Sequence, residues 1–114
     1  MEPSENLSNG RSHSIEEGIS LEHLAMQLKK DGDSPQAIAV ALKALELYLE
    51  LGERFRAGEC HRLLAEIYKA AGDCESALLH MEQHSLIARH ELEAARDRLR
   101  HAVERSGKVD GDQG

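Results

Sequence analysis

The chain predicts an all-α fold of two antiparallel helical hairpins, the last helix running on as a long C-terminal helix, and three observations predict it. First, Gly32-Asp33 and Gly72-Asp73 stand 40 residues apart inside the same local pattern. Laying Leu21–Val40 over His61–His80 matches Leu24 with Leu64, Ala25 with Ala65, Lys29 with Lys69 and Ala37 with Ala77. A period of this length marks an array of helical hairpins, each too small to bury its own apolar face. Second, Ala, Leu, Glu, Lys and Arg dominate the middle of the chain, β-branched residues are sparse, and aromatics make up 3%. That is a helical composition, with a core of Leu, Ile and Ala that lets helices approach closely. Third, no Gly or Pro occurs from Cys74 through Ser106.

The elements follow from caps and periods. Residues 1–14 are polar and aperiodic and are expected to be unstructured. Ser14 and Glu17 have the spacing of a capping box, so a first helix begins near Ile15 or Gly18 and runs to Asp31. Its apolar stripe is Leu21, Leu24, Ala25 and Leu28. Gly32 ends it in a left-handed cap, Asp33 or Ser34 caps the next helix, and Pro35 suits that helix's first turn. The second helix carries Ala37, Ile38, Ala41, Ala44, Leu45 and Tyr48 on one face and stops at Gly52. A third covers about Glu53 to Ala71, with Leu64, Ala65, Ile67 and Tyr68 inward; Gly72 stops it and Asp73 caps the fourth.

The fourth helix carries Leu78, Met81, Ser85, Ala88, Leu92, Ala95, Leu99 and Ala102, alternately three and four residues apart. That is a heptad seam flanked by charge, the pattern of a coiled coil. Beyond about His90 it has nothing in its own chain to pack on. The domain therefore spans 15–105, with repeats at about 18–52 and 53–90 and a helical extension at 91–105. Residues 106–114 are expected to form an unstructured tail.

The formal net charge of −7 argues against a nucleic-acid backbone as partner. No apolar run approaches the roughly 20 residues of a membrane span, and the start lacks the apolar core of a signal peptide. A cytoplasmic location is expected. Cys60 and Cys74 fall on the two arms of one hairpin with their Cα atoms well over ~10 Å apart, too far for a bridge, so both are expected as buried or half-buried free thiols.

The stretch from Leu64 to Leu78 resembles a tetratricopeptide (TPR) repeat. It carries the family's small residue at Ala65, aromatic at Tyr68, turn at Gly72-Asp73 and second-helix alanine at Ala77. The first repeat holds Ala25, Leu28, Gly32-Asp33 and Ala37 at these places. The 40-residue spacing exceeds the family's usual 34 and resembles the long-helix variety of bacterial regulatory proteins. There the last helix typically leads into a kinase or cyclase domain; nothing after residue 105 here resembles one, so no catalytic residue is carried over.

The resemblance implies a non-catalytic protein–protein interaction module. Its concave face is implied to carry Glu22, Met26, Lys29, Lys30, Glu59, Arg62, Glu66 and Lys69, a mixed-charge surface for a protein or peptide. The alternative is an ordinary solvated face. Glu22, Met26, Arg62 and Glu66 occupy the places of the Lys-and-Asn clamp by which some TPR domains hold a C-terminal carboxylate, which disfavours that ligand. Leu92, Ala95, Leu99, Ala102 and Val103 extend the apolar stripe past its intramolecular partner, and such a stripe marks an interface; the alternative is fraying of the last two turns. With two repeats and open outer faces, a homodimer is expected. A second reading is a regulatory sensor that binds a ligand and transmits through the fourth helix.

Metal and catalytic readings are weak. His80 and His84 share a helix face, but no third ligand stands at a recognisable spacing. Adjacent Cys60 and His61 point about 100° apart on a helix and do not face each other. No metal, cofactor or enzymatic activity is expected.

Overall fold

The computed structural model describes residues 14–113, with side chains through residue 106. The N-terminal segment expected to be unstructured lies outside the described residues, apart from Ser14. Four helices follow in order: α1 Ile15–Lys30, α2 Ser34–Leu51, α3 Arg54–Ala70 and α4 Cys74–Gln113. No strand occurs among the described residues. The backbone of α4 continues helical to Gln113, through residues expected from the sequence to form an unstructured tail from 106 on.

The caps explain the boundaries. Glu17 N–H donates to Ser14 Oγ at 3.2 Å, Gln36 N–H to Asp33 Oδ1 at 3.3 Å, and Ser76 N–H to Asp73 Oδ1 at 3.1 Å. These bonds satisfy N–H groups that the first helical turn leaves without partners. Ser76 Oγ adds a second bond to Asp73 Oδ2 at 2.8 Å, and the two hold the Asp73 carboxyl below its ordinary pKa. Glu53 at the start of α3 makes no side-chain cap bond.

All three turns have one design. Gly32, Gly52 and Gly72 take φ values of 83°, 75° and 88°. Their N–H groups donate to Lys29, Leu49 and Lys69, while Asp33, Glu53 and Asp73 donate to Leu28, Tyr48 and Tyr68. This is the Schellman arrangement, which closes a helix through one left-handed residue. No atom crowds a Cβ built on these glycines, so φ alone selects the residue. The three turns are 20 residues apart, which makes the helices equal in stride and stacks them as antiparallel neighbours.

Each helix packs on the next in sequence, and α1 touches α3 only lightly. The core is alanine-rich: Ala25, Ala37, Ala41, Ala44 and Ala57 are fully buried, with Tyr48, Leu64, Ile67 and Cys60 as the large buried side chains. Small residues let backbones approach, which also explains Gly18. A Cβ there would lie 2.5 Å from the Tyr48 ring. Gly58, one repeat later, would place its Cβ 3.1 Å from Ile87 Cγ2.

Three expectations need correction. Leu24 belongs to the helical stripe of α1 but is 48% exposed, because α1 turns Ala25 and not Leu24 into the core. Cys74 is exposed, since it opens α4 at the turn; Cys60 is buried, and both thiols are free. The heptad seam of α4 is exposed along its length and is not the face buried against α3. Leu78 is 62% exposed at its start. The stripe half-buried against α3 is instead Ala77, His80, His84, Ile87, Glu91 and Ala94.

The contact with α3 ends near Ala94, one turn beyond His90, whose Nδ1 lies 3.4 Å from an Arg54 guanidinium nitrogen at the start of α3. Every residue from 95 to 106 is exposed. The radius of gyration is 19.5 Å, well above the roughly 13 Å of a compact domain near this size, because α4 projects beyond the bundle.

Candidate protein-binding surfaces

Three surfaces carry the residues singled out by the sequence. On the first, Glu22, Met26 and Lys29 lie on α1 and Glu59 and Arg62 on α3, two helices that touch only lightly. Glu22 is half-buried and accepts from Cys60 Sγ at 3.5 Å, which ties the two helices together. Burial, then the nearby Glu22 carboxylate, pushes the Cys60 thiol far up, so it is a poor nucleophile. Arg62 is spoken for: its Nε meets Glu59 at 3.1 Å and its NH1 meets Glu66 at 2.7 Å, both along its own helix. These pairs are exposed and contribute little to stability. They do fix the guanidinium between two carboxylates. Met26, 41% exposed, is the apolar element of this face.

Near Glu22 lies a buried polar atom of α2. Tyr48 Oη is buried with no partner in hydrogen-bond geometry among the described residues. Burial first, then the approach of the Glu22 carboxylate to the hydroxyl, raises the phenol to about 12.

The second surface holds the histidines. His61 Nδ1 and His80 Nδ1 are 2.9 Å apart, so one ring donates and the other accepts. Tyr68 stacks on His80, with centroids 5.4 Å apart and planes 9° from parallel. Burial and the facing His80, then His84, hold His61 below its ordinary pKa; burial does the same to His80. His84 is half-buried and places Nδ1 3.0 Å from Gly58 O. The His80–His84 spacing thus does not converge on one point. Among the described residues no group of three or more His, Cys, Asp or Glu is arranged to hold a metal ion. The His61–His80 pair has a sequence signal only in hindsight: both are polar residues on otherwise inward faces of one hairpin.

The third surface is an apolar groove of about 390 Å³ on the second hairpin, beside its Gly72 turn, formed by Ala65, Lys69, Cys74, Ala77, Leu78 and Met81. Glu66 and Lys69, assigned by sequence to the concave face, stand on its rim. A shallower groove continues it along α4 past Met81, Ser85, Leu86 and Arg89. Farther on, Leu92 is 59% exposed, Leu99 64% and Val103 59%, with Ala95 and Ala102 exposed between them.

Stacked antiparallel hairpins with Gly-Asp turns and alanines at the helix crossings define a helical-repeat protein. The tetratricopeptide repeat family profile matches residues 16–89, and the chain belongs to that family. No curated protein and no solved structure matches the chain. TPR repeats generally mediate protein–protein interaction and are typically non-catalytic. Among the described residues no helix is long and apolar enough to cross a membrane.

Proposed function

We propose that the chain is a non-catalytic interaction module of the cytoplasm that self-associates through α4 and holds a protein or peptide partner on the α1–α3 face. The observation that carries the first half is the stripe Leu92, Ala95, Leu99, Ala102 and Val103, exposed on a helix that has outrun its intramolecular partner. Taking a leucine out of water contributes ~1.5–3 kcal/mol, so two copies of Leu92 and Leu99 stabilise a dimer by several kcal/mol before association entropy is subtracted. On the α1–α3 face, Met26 supplies an apolar contact, while Glu22, Lys29, Glu59, Arg62, Glu66 and Lys69 supply polar ones. Sedimentation is the test. The intact chain is expected to be dimeric at micromolar concentration, and Leu92→Glu/Leu99→Glu monomeric with its helical circular dichroism largely kept. An intact chain that remains monomeric at high micromolar concentration defeats the self-association reading.

The sensor reading draws support from one feature: α4 is both a wall of the groove and the projecting arm. A ligand-dependent change in α4, measured by spin-label distances between its two ends, would favour it over a passive scaffold.

A further inference from the structure

We propose that the open groove of the second hairpin is filled by residues 92–106 of α4 from a second copy, lying antiparallel to the α4 that forms the groove, with the two-fold axis near residue 90. The inference deepens the self-association reading and rests on it.

The internal repeat says what the groove is for. One repeat earlier, Ile38, Ala41 and Leu45 of α2 stand where Leu78, Met81 and Ser85 stand on α4. Ala41 is fully buried, Leu45 is 8% exposed and Ile38 is half-buried, because α3 lies antiparallel across them. Leu78 and Met81 are 62% and 43% exposed because no such helix follows. The same surface, built twice, is covered once. Its occupant is therefore a helix antiparallel to α4 with a narrow apolar stripe.

The chain's own first helix does not suit that role. On α3 the face turned to α2 includes Ala57, Cys60 and Ile67, all fully buried. The equivalent places on α1 hold Glu17, Ser20 and Gln27. A polar outer face is what ends a repeat array, so head-to-tail stacking of α1 into the groove is disfavoured. The apolar end must close on its own kind, as a two-fold interface does.

The seam of α4 is complementary to itself in that direction. With the axis near residue 90, Leu78 lies opposite Ala102, Met81 opposite Leu99, Ser85 opposite Ala95 and Ala88 opposite Leu92. Long side chains meet short ones at the Leu78 and Leu92 layers, which keeps the helices close. A parallel pair would stack each residue on its own copy, alternating Leu–Leu with Ala–Ala layers that ask for different separations. On the flank, Glu82 comes beside Arg96 of the second copy, twice in the dimer. Next to the axis Arg89 and Glu91 each face their own copy, on opposite flanks. These like pairs weigh against the register, and the exposure of Arg89 lets salt screen one of them.

The register makes a prediction that native chemistry can read. Cys74, exposed, lies four residues before Leu78 on the same seam, and its opposite number is Ser106. Cys60 is buried with its thiol held protonated, so Cys74 is the reactive native thiol. Under oxidised glutathione, Ser106→Cys is expected to form a covalent dimer on a non-reducing gel. The unsubstituted chain and Cys74→Ser/Ser106→Cys are expected not to. A disulfide dimer of the unsubstituted chain, or one that survives in Cys74→Ser/Ser106→Cys, would place like residues together and overturn the antiparallel register. So would a chain that sediments as a dimer but fails to cross-link as Ser106→Cys. In both cases self-association stands and the groove assignment falls. Monomeric sedimentation removes both, and leaves the groove to a helix from a different protein.

Discussion

Replacing Gly18 by alanine is expected to destabilise the fold, although alanine is the better helix former. In a solvated helix the change contributes about 1 kcal/mol in alanine's favour. At Gly18 the new Cβ would sit 2.5 Å from Tyr48 Cε1, 2.6 Å from Cζ and 2.8 Å from Oη. Tyr48 is fully buried and its ring is stiff, so relief requires α1 to move off α2. Overpacking of this kind costs ~1–3 kcal/mol, and contact with three ring atoms belongs in the upper part of that range. The net expectation is a loss of ~1–2 kcal/mol, measured as a shift in the urea midpoint at constant m-value. Gly58→Ala supplies the contrast. Its Cβ meets Ile87 Cγ2 at 3.1 Å and Cβ at 3.5 Å, and Ile87 is only half-buried in the α3–α4 contact, where it can yield by a few tenths of an ångström. That substitution is expected to be neutral or stabilising by up to ~1 kcal/mol. In a Tyr48→Leu background Gly18→Ala should change sign and stabilise, because the two sites are in contact and couple. If Gly18→Ala stabilises the native background as much as Gly58→Ala does, the close approach of α1 to the Tyr48 ring is refuted.

Further expectations concern the buried polar groups and the groove. Tyr48→Phe removes a buried hydroxyl that lacks a partner, so it should be neutral or stabilising by up to ~1 kcal/mol in the same denaturation assay; a loss above ~1 kcal/mol would reveal a bond to that oxygen. His61 and His80 have lowered pKa values in the fold, so the unfolded chain binds more protons as the pH drops below about 6.5. Stability should be complete above that value and decline as the pH falls from it toward the lowered values. A His61→Gln/His80→Gln variant should decline less over that interval, and equal slopes would exclude the pair as the cause. Ala25→Leu should destabilise by ~1–3 kcal/mol because its site is closed, whereas the equivalent Ala65→Leu projects toward the open groove and should cost the monomer less while weakening the dimer. Urea melts over a range of protein concentrations separate the two effects.

The helix boundaries were legible because each rests on one residue with a strong local preference: glycine at a left-handed cap, Asp33 and Asp73 as caps, Ser14 ahead of α1. The repeat was legible because the Gly-Asp turn and its flanking alanines recur unchanged. The orientation of α4 was not. Its most apolar stripe faces solvent, while the face against α3 carries His80 and His84. Hydrophobic periodicity ranks leucine above histidine, but a neutral His61–His80 pair and a His84 bonded to Gly58 O pack acceptably at a half-buried interface. The stripe on α4 up to His90 was expected against its own chain, and it faces solvent instead. The Cys60–Glu22 contact, across 38 positions, has no local signal at all. Gly18 and Gly58 did carry one, since they are themselves a repeat apart, but glycine inside a helix reads as a weak residue until the neighbour it admits is known.

The way each helix rests on the next in sequence, with α1 and α3 barely meeting, bears on how the chain reaches its native state. The main helix contacts join neighbours along the chain, so only short loops must close to form them and folding should be fast. Either hairpin can form first and template its neighbour. Protection from amide hydrogen exchange should then be graded along the chain: greatest in α2 and α3, which have neighbours on both sides, lower in α1, and lowest past Ala94, where α4 leaves its last support.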